Sequence, residues 1–404
     1  MKAPFQRFFL TVLCVVLLAP FGARAQSLAQ KLAGKIVLNV AGKGEAWYIN
    51  PTDKKRYYLG RPADAFAVMR RLGLGIAEID FQKIAQAGMT VTGDRALASR
   101  LAGRIILQTE RNGEAWYVNP SDLKKYYLGR PADAFAVMRQ LSLGISKEDL
   151  ARINKPGTAE SLDAYSKYEQ KYIPVSGGNF LTDIVTIELD NPKLKIVTDT
   201  ADSSNCQTGC SARSLGSYVF DQQGSIGMNG SYFDTSSGKK NYYFFPVFNT
   251  AQAKMINEDQ LKWWTTGPLM AFDQNNNFYY FKDSRDFKSV ADFEKKYGVK
   301  LQASIGNKPR LIEEKMITLI DWEVDEKQRN VKSLRNAIAY DDHRLYLVIV
   351  HNATIVNLAD VVSSLGAEYA LNLDGGFSSA LFYNDEYKIG PGRDIPNAII
   401  FKFL

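Results

Sequence analysis

The chain has 404 residues, 46% of them hydrophobic, with 50 Lys and Arg against 43 Asp and Glu. That length allows two or three domains with a sizeable core, and the composition excludes collagen-like, low-complexity and disordered chains. A formal charge of +7, with its cations scattered over many segments, gives no basic stripe of the kind nucleic-acid binding needs.

The N-terminus reads as a targeting segment. Lys2 and Arg7 precede the apolar run Phe8–Leu18, and Ala23-Arg24-Ala25 supplies a small-x-small cleavage pattern before Gln26. The run is short for a bilayer span, so a cleaved signal peptide over residues 1–25 is expected, and with it a secreted, cell-surface or periplasmic protein without a transmembrane segment. Its removal takes Lys2, Arg7 and Arg24 and lowers the formal charge from +7 to +4. Cys14 leaves with it. Cys206 and Cys210 remain, an even pair whose expected fate in an exported chain is a disulfide.

Residues 32–84 and 101–153 are one unit repeated at an offset of 69, identical at 34 of 53 positions. Each opens with an apolar strand, Lys35–Asn39 or Arg104–Gln108. Gly44–Pro51 and Gly113–Pro120 follow, each with a Glu-Ala-Trp-Tyr core and an Asn-Pro turn. Lys55–Leu59 and Lys125–Leu128 return as hairpin partners. Helices Ala65–Leu72 and Ala134–Leu141 then begin just after a proline. Each unit therefore reads as a small ββα module. Trp47 and Trp116 suit the module's core; the other reading is stacking on sugar rings. The repeat resembles aromatic wall-binding repeats, which would make a cell-wall polymer its partner. Residues 154–175 read as a linker, with a short helix over Tyr165–Lys171.

The remainder, 176–404, reads as α+β: a mixed central sheet with flanking helices. Two apolar runs in it end in a lone polar residue followed by glycine. Ser225–Met228 leads to Asn229-Gly-Ser-Tyr232-Phe233, and Ala370–Leu373 leads to Asp374-Gly375-Gly376-Phe377-Ser378-Ser379. A carboxylate carried to the end of a buried strand is costly unless it is paired or working, and paired glycines let a ligand approach the backbone closely. Leu345–Val350 reads as a buried strand ending at His351, and Leu358–Leu365 as a helix closed by Gly366. His343 lies in a charged turn, and no Gly-x-Ser-x-Gly elbow accompanies Ser379.

The collinear blocks Asn229–Phe233, Arg335–Ala339, Leu371–Gly376 with Ser378 and Ser379, and Arg393 ahead of Pro396-Asn397-Ala398 resemble the phosphodiester glycosidase family over about residues 176–404. Many bacterial members of that family are described as exopolysaccharide-related. Three positions depart from its pattern: Ser231 and Phe377 stand where glycine is usual, and His351-Asn352-Ala353 replaces an Asp-Gly turn.

The resemblance implies an exported hydrolase that cleaves the glycosidic bond of a sugar-1-phosphodiester. In it Asp374 acts as nucleophile or base, and Arg335 and Arg393 bind phosphate oxygens. Asn229 holds a sugar hydroxyl or a developing charge. Gly375, Gly376, Ser378, Ser379 and Tyr232 contact substrate. No metal site and no cofactor is called for, although a divalent cation stays open. A non-catalytic glycan-binding protein and a peptidoglycan hydrolase on the same scaffold also stay open.

Overall fold

The structure, a computed structural model, describes residues 27–403 apart from 41–43, 60–61, 91, 156–164 and 385. The signal segment expected over 1–25 lies outside the described residues.

The first repeat contributes β1 (Ile36–Asn39), β2 (Ala46–Ile49), β3 (Arg56–Tyr58), the helix Pro62–Leu72 and a short strand β4 (Leu74–Ile76). The second contributes β5 (Ile105–Gln108), β6 (Ala115–Val118), β7 (Lys125–Tyr127), the helix Pro131–Leu141 and β8 (Leu143–Ile145). The fourth strands are exchanged. β4 pairs in parallel with β5 of the second repeat, and β8 pairs in parallel with β1 of the first.

The exchange leaves a near two-fold joint. The Tyr48 hydroxyl donates to Gly103 O at 2.6 Å, and the Tyr117 hydroxyl donates to Gly34 O at 2.6 Å. Gly34 and Gly103 both have positive φ, and a Cβ on either would lie under 3 Å from the other's backbone, so the joint excludes larger residues. Trp47 and Trp116 are 4% and 9% exposed and pack in the cores of the two sheets. Their faces are not offered to a sugar.

Ser166–Val175, expected to belong to a linker with a short helix, instead form β9, the edge strand of a seven-stranded sheet. It pairs along its length with β10 (Gly178–Glu188). Its run Ser-Lys-Tyr-Glu-Gln-Lys-Tyr is polar because an edge strand presents most of its side chains to water.

From there the chain runs through β11 (Leu194–Thr200), the helix Leu215–Asp221 and β12 (Ile226–Asn229). Next come β13 (Val247–Asn249), β14 (Lys254–Ile256), β15 (Leu269–Asp273), β16 (Phe278–Phe281), the helix Val290–Tyr297 and β17 (Leu301–Gly306). Then follow β18 (Arg310–Glu313), β19 (Met316–Ile317), β20 (Ser333–Asp341), β21 (Arg344–Ala353), the helix Ile355–Ser364 and β22 (Tyr369–Leu373). The last strands are β23 (Leu381–Tyr383), β24 (Glu386–Ile389) and β25 (Asn397–Phe403). The aromatic run from Tyr242 reads as one strand in the sequence, but only Val247–Asn249 is strand.

The seven-stranded sheet has the order β19-β18-β22-β20-β21-β10-β9. Alternation along its strands gives it two apolar faces. Ile184, Ala337, Ala339, Val348 and Val350 face the helix Ile355–Ser364, whose start is closed by a reciprocal Thr354–Asn357 cap. Val185, Ile187, Ile338, Leu347 and Ile349 face the second core, shared with the five-stranded sheets β11-β25-β12-β23-β24 and β14-β13-β17-β15-β16. The architecture is α+β, as the sequence implies, but the central sheet expected to be mixed is antiparallel in every ladder; the parallel strand pairs lie in the repeats.

Candidate active site

Two sheets meet at the ends of β12 and β22. The Asp374 amide donates to Gly230 O at 2.9 Å, and the Asp374 carbonyl accepts from the side chains of Asn229 and Asn336, each at 2.7 Å. Asn336 Nδ2 also donates to Asn229 Oδ1 at 2.9 Å, and that oxygen accepts a second bond from the Ala380 amide at 3.0 Å. Ser379 Oγ donates to Asn336 Oδ1 at 2.9 Å. Asn229 and Asn336 are fully buried, so this closed network fixes the backbone of the Asp374 turn.

That placement corrects two of the expected roles. Asn229 does not face a substrate, because its amide is committed to the Asp374 carbonyl, Asn336 and the Ala380 amide. Ser379 is 2% exposed and completes the same network. Sequence reasoning missed Asn336, which follows Arg335 inside an apolar strand. The signal was available: a polar residue at the position alternating with Ile338 points toward β12, into the core between the sheets.

Arg335 goes to the opposite face, with Ala337 and Ala339. Expected as a phosphate ligand, it instead donates through Nε to Ala353 O at 3.2 Å and through Nη2 to Lys327 O and Val331 O at 3.1 and 2.7 Å. Its guanidinium pins the chain segment that carries Lys327 and Gln328 beside the site. Nη1 has no hydrogen-bond partner among the described residues, which leaves that corner alone for a ligand.

The Asp374 side chain is 8% exposed. Burial pushes its carboxyl up to about 7, against hydrogen bonds from Ser378 Oγ and the Gly375 amide and the positive charges of Arg393 and Lys327. Ser378 and Gly375 thus meet the carboxylate directly. Gly375 has no room for a side chain, since a Cβ would stand 2.6 Å from Leu334 O. Gly376 has φ +62, which makes the turn after the acid sharp.

Tyr232 lies beside the acid. Burial and then the Asp374 charge push its hydroxyl up to about 12, so it stays a neutral group. That hydroxyl accepts from Gln328 Nε2 at 2.8 Å and Asn372 Nδ2 at 2.9 Å, which frees its own proton for another partner. Arg393 is held by its amide on Phe377 O at 2.9 Å, and its guanidinium stands 5.8 Å from the ring centre of Phe377, which is 84% exposed. A carboxylate, two cations and an exposed ring therefore gather at one strand end. Lys327 and Gln328 had no signal beyond lying in a polar segment.

His351 takes no part. Its Nε2 is 2.6 Å from Asp183 Oδ2, and Asp183 Oδ1 accepts from Tyr168 at 2.5 Å and Gln170 at 3.0 Å. Cys206 and Cys210 form a disulfide. Among the described residues the one cluster of metal-ligand atoms is Asp202 with these two cysteines, whose sulfurs the disulfide removes as thiolate ligands.

Comparison with known proteins found the phosphodiester glycosidase family over residues 222–402. Comparison with curated proteins found no match. Among solved structures, the catalytic domain of zebrafish N-acetylglucosamine-1-phosphodiester alpha-N-acetylglucosaminidase, auto-inhibited by its pro-peptide, is similar at 16% identity and a TM-score of 0.46, covering 59% of this chain and 83% of that one. A hypothetical protein from Synechocystis is similar at 16% identity and a TM-score of 0.41, over 60% of this chain. The chain spans 62% of the length of that protein, less than two thirds. A putative exported protein from Burkholderia pseudomallei matches at 9% identity and a TM-score of 0.34, over 55% of this chain and 74% of that one.

Proposed function

From a phosphodiester glycosidase domain at residues 222–402, we propose that this protein is an exported hydrolase that splits the glycosidic bond of a sugar-1-phosphodiester in an envelope or extracellular glycan. The observation that carries the reading is Asp374: a nearly buried carboxyl raised to about 7, under the charges of Arg393 and Lys327.

A carboxylate of that basicity suits proton abstraction at neutral pH. Asp374 takes a proton from a water molecule as the water oxygen bonds to the anomeric carbon. The bond from that carbon to the phosphate oxygen breaks, and its electron pair leaves with the phosphomonoester. A phosphate leaves as an anion and needs cations rather than an acid, so Arg393 and Lys327 serve as its binding groups, joined by the free corner of Arg335. The Tyr232 hydroxyl donates to a sugar or phosphate oxygen, while Ser378 keeps its one hydroxyl proton on the Asp374 carboxylate. Asn229, Asn336 and Ser379 position the acid without touching substrate. The disulfide supports an oxidising, extracytoplasmic location, in keeping with the signal segment read in residues 1–25.

The test is release of free sugar from a panel of sugar-1-phosphodiesters by the full-length protein and by its Asp374→Asn variant. Turnover by the wild type, lost in a variant with unchanged circular dichroism, is expected. Equal turnover by both proteins, or none across the panel, overturns the assignment.

A further inference from the structure

We propose that Trp264 and Trp322, with Lys308 between them and the candidate active site, form a second glycan-binding strip that holds sugars beyond the scissile one, so that the substrate is a chain of phosphodiester-linked sugars rather than a single capped sugar. The inference rests on the glycosidase reading for its substrate class.

Trp264 and Trp322 are 51% and 41% exposed, and their ring centres lie 4.9 Å apart at an interplanar angle of 72°. An edge-to-face pair of this kind keeps a ring face open to solvent. Open indole faces bind the C–H faces of sugar rings for the reason they bind other apolar edges and cations. Surface tryptophans scattered singly need no explanation, but here two are in contact. Trp322 precedes Glu323, which is 3% exposed and receives Arg310 through its Nε, Nη2 and amide at 2.7 to 3.1 Å. Arg310 also holds Glu313 at 2.9 Å. With its backbone next to a buried ion pair and its ring against Trp264, Trp322 is partly pre-organised, which lowers the ordering entropy lost on binding.

A hydrogen-bond path links the strip to the acid. Asn372 Nδ2 donates both to the Tyr232 hydroxyl, the group that feels the Asp374 charge, and to Lys308 O at 3.3 Å. Lys308 then places its ammonium 5.5 Å from the Trp322 ring centre and 5.7 Å from that of Phe244. Burial lowers the Lys308 pKa, with Glu323 opposing. An ammonium partly stripped of water among rings favours an anion arriving alongside an apolar face. A sugar ring followed by a phosphate supplies both in one repeat.

The experiment uses full-length Asp374→Asn protein, so that binding is read without turnover. Its probes are N-acetylglucosamine-1-phosphate units joined by phosphodiesters, one and four repeats long, titrated by calorimetry. The four-repeat probe is expected to bind about tenfold more tightly than the one-repeat probe. Trp264→Ala and Trp322→Ala should each remove most of that gain and leave one-repeat binding unchanged, with Trp322→Phe restoring part of it. Equal affinity for the two lengths, no binding of either, or an equal loss of both in the tryptophan variants overturns the proposal. So does sedimentation showing that the tryptophans join two copies of the chain. If the wild type binds the long probe through the tryptophans yet releases no sugar, the glycosidase reading falls and the strip stands.

Discussion

At the scale of single residues, Asp374 couples activity to stability through one proton. An unfolded aspartate titrates near about 3.9, whereas burial holds this one up to about 7 in the folded protein. Between those values the folded state keeps a proton that the unfolded state has lost. The favourable contribution is therefore complete below the unfolded value and is lost as pH rises through the folded one. By pH 8 the charged, buried carboxylate costs about 4 kcal/mol. Asp374→Asn should accordingly gain stability over the wild type as pH rises from 4 to 8, read as denaturation midpoints across that range, while turnover vanishes. A constant difference between the two proteins at every pH would show that the carboxyl is not raised. Wild-type kcat/KM should climb with pH to a plateau above about 7. Arg393→Gln should move that limb to higher pH, because Arg393 helps hold the charged form.

A second residue-scale prediction lies in the repeats. Gln108 Oε1 accepts the Trp116 indole N–H at 2.8 Å. At the matching place in the first repeat stands Asn39, one methylene shorter, and both Asn39 Oδ1 and Trp47 Nε1 are buried without a partner among the described residues. Asn39→Gln should supply the missing bond and raise stability by about 1 kcal/mol. Thermal unfolding of the variant checks it, and a lower midpoint would mean that the longer side chain does not reach the indole. The contrast shows what sequence can and cannot reveal. Asp374 was legible because an apolar run delivered a lone carboxylate to two glycines. Asn229 was legible as a special residue, but its role was not. Whether an amide faces solvent or the neighbouring sheet depends on a partner, Asn336, that only tertiary structure brings to it.

At the scale of elements, the segment between β18 and β20 decides the character of the site. In the sequence it is polar and reads as a loop. It is held at both ends, by Arg310 on Glu323 and by Arg335 on the carbonyls of Lys327 and Val331. It carries Trp322 just ahead of the first anchor and Lys327 and Gln328 at the second. Breaking a buried pair leaves an uncompensated charge, so Arg310→Met should cost about 3–5 kcal/mol and unfold the protein at lower denaturant. Arg335→Lys is the subtler probe. A lysine keeps the charge but cannot span three carbonyls, so the segment loosens and KM should rise more than kcat falls. A fall in kcat alone, at unchanged KM, would instead give Arg335 a transition-state role. Edge strand β9 and the exchanged strands β4 and β8 were illegible for a common reason. A polar edge strand looks like a linker, and Leu-Gly-Ile is too short to carry a period.

At the scale of the whole molecule, the two repeats and the domain behind them are not beads on a string. Each repeat sheet is completed by a strand from the other, so one repeat alone lacks a quarter of its four-stranded sheet. One buried cluster then unites Tyr48, Val68, Met69, Tyr117, Val137 and Met138 of the repeats with Leu215, Tyr218, Val219, Phe382 and Ile400 of the domain carrying the site. Arg71 adds a bond to Phe220 O at 3.0 Å across that seam. An interface built like a core couples the unfolding of what it joins. The full chain should therefore melt in a single calorimetric transition, and a truncation that starts at residue 165 should expose the apolar side of the helix Leu215–Asp221 and melt lower or aggregate. Two separated transitions in the full chain, or a truncated protein as stable as the whole, would show that the repeats are independent attachments. The coupled outcome would instead give them a part in holding Ala380 and Phe382, the strand that begins just after Ser379, and through it the turn that carries the acid.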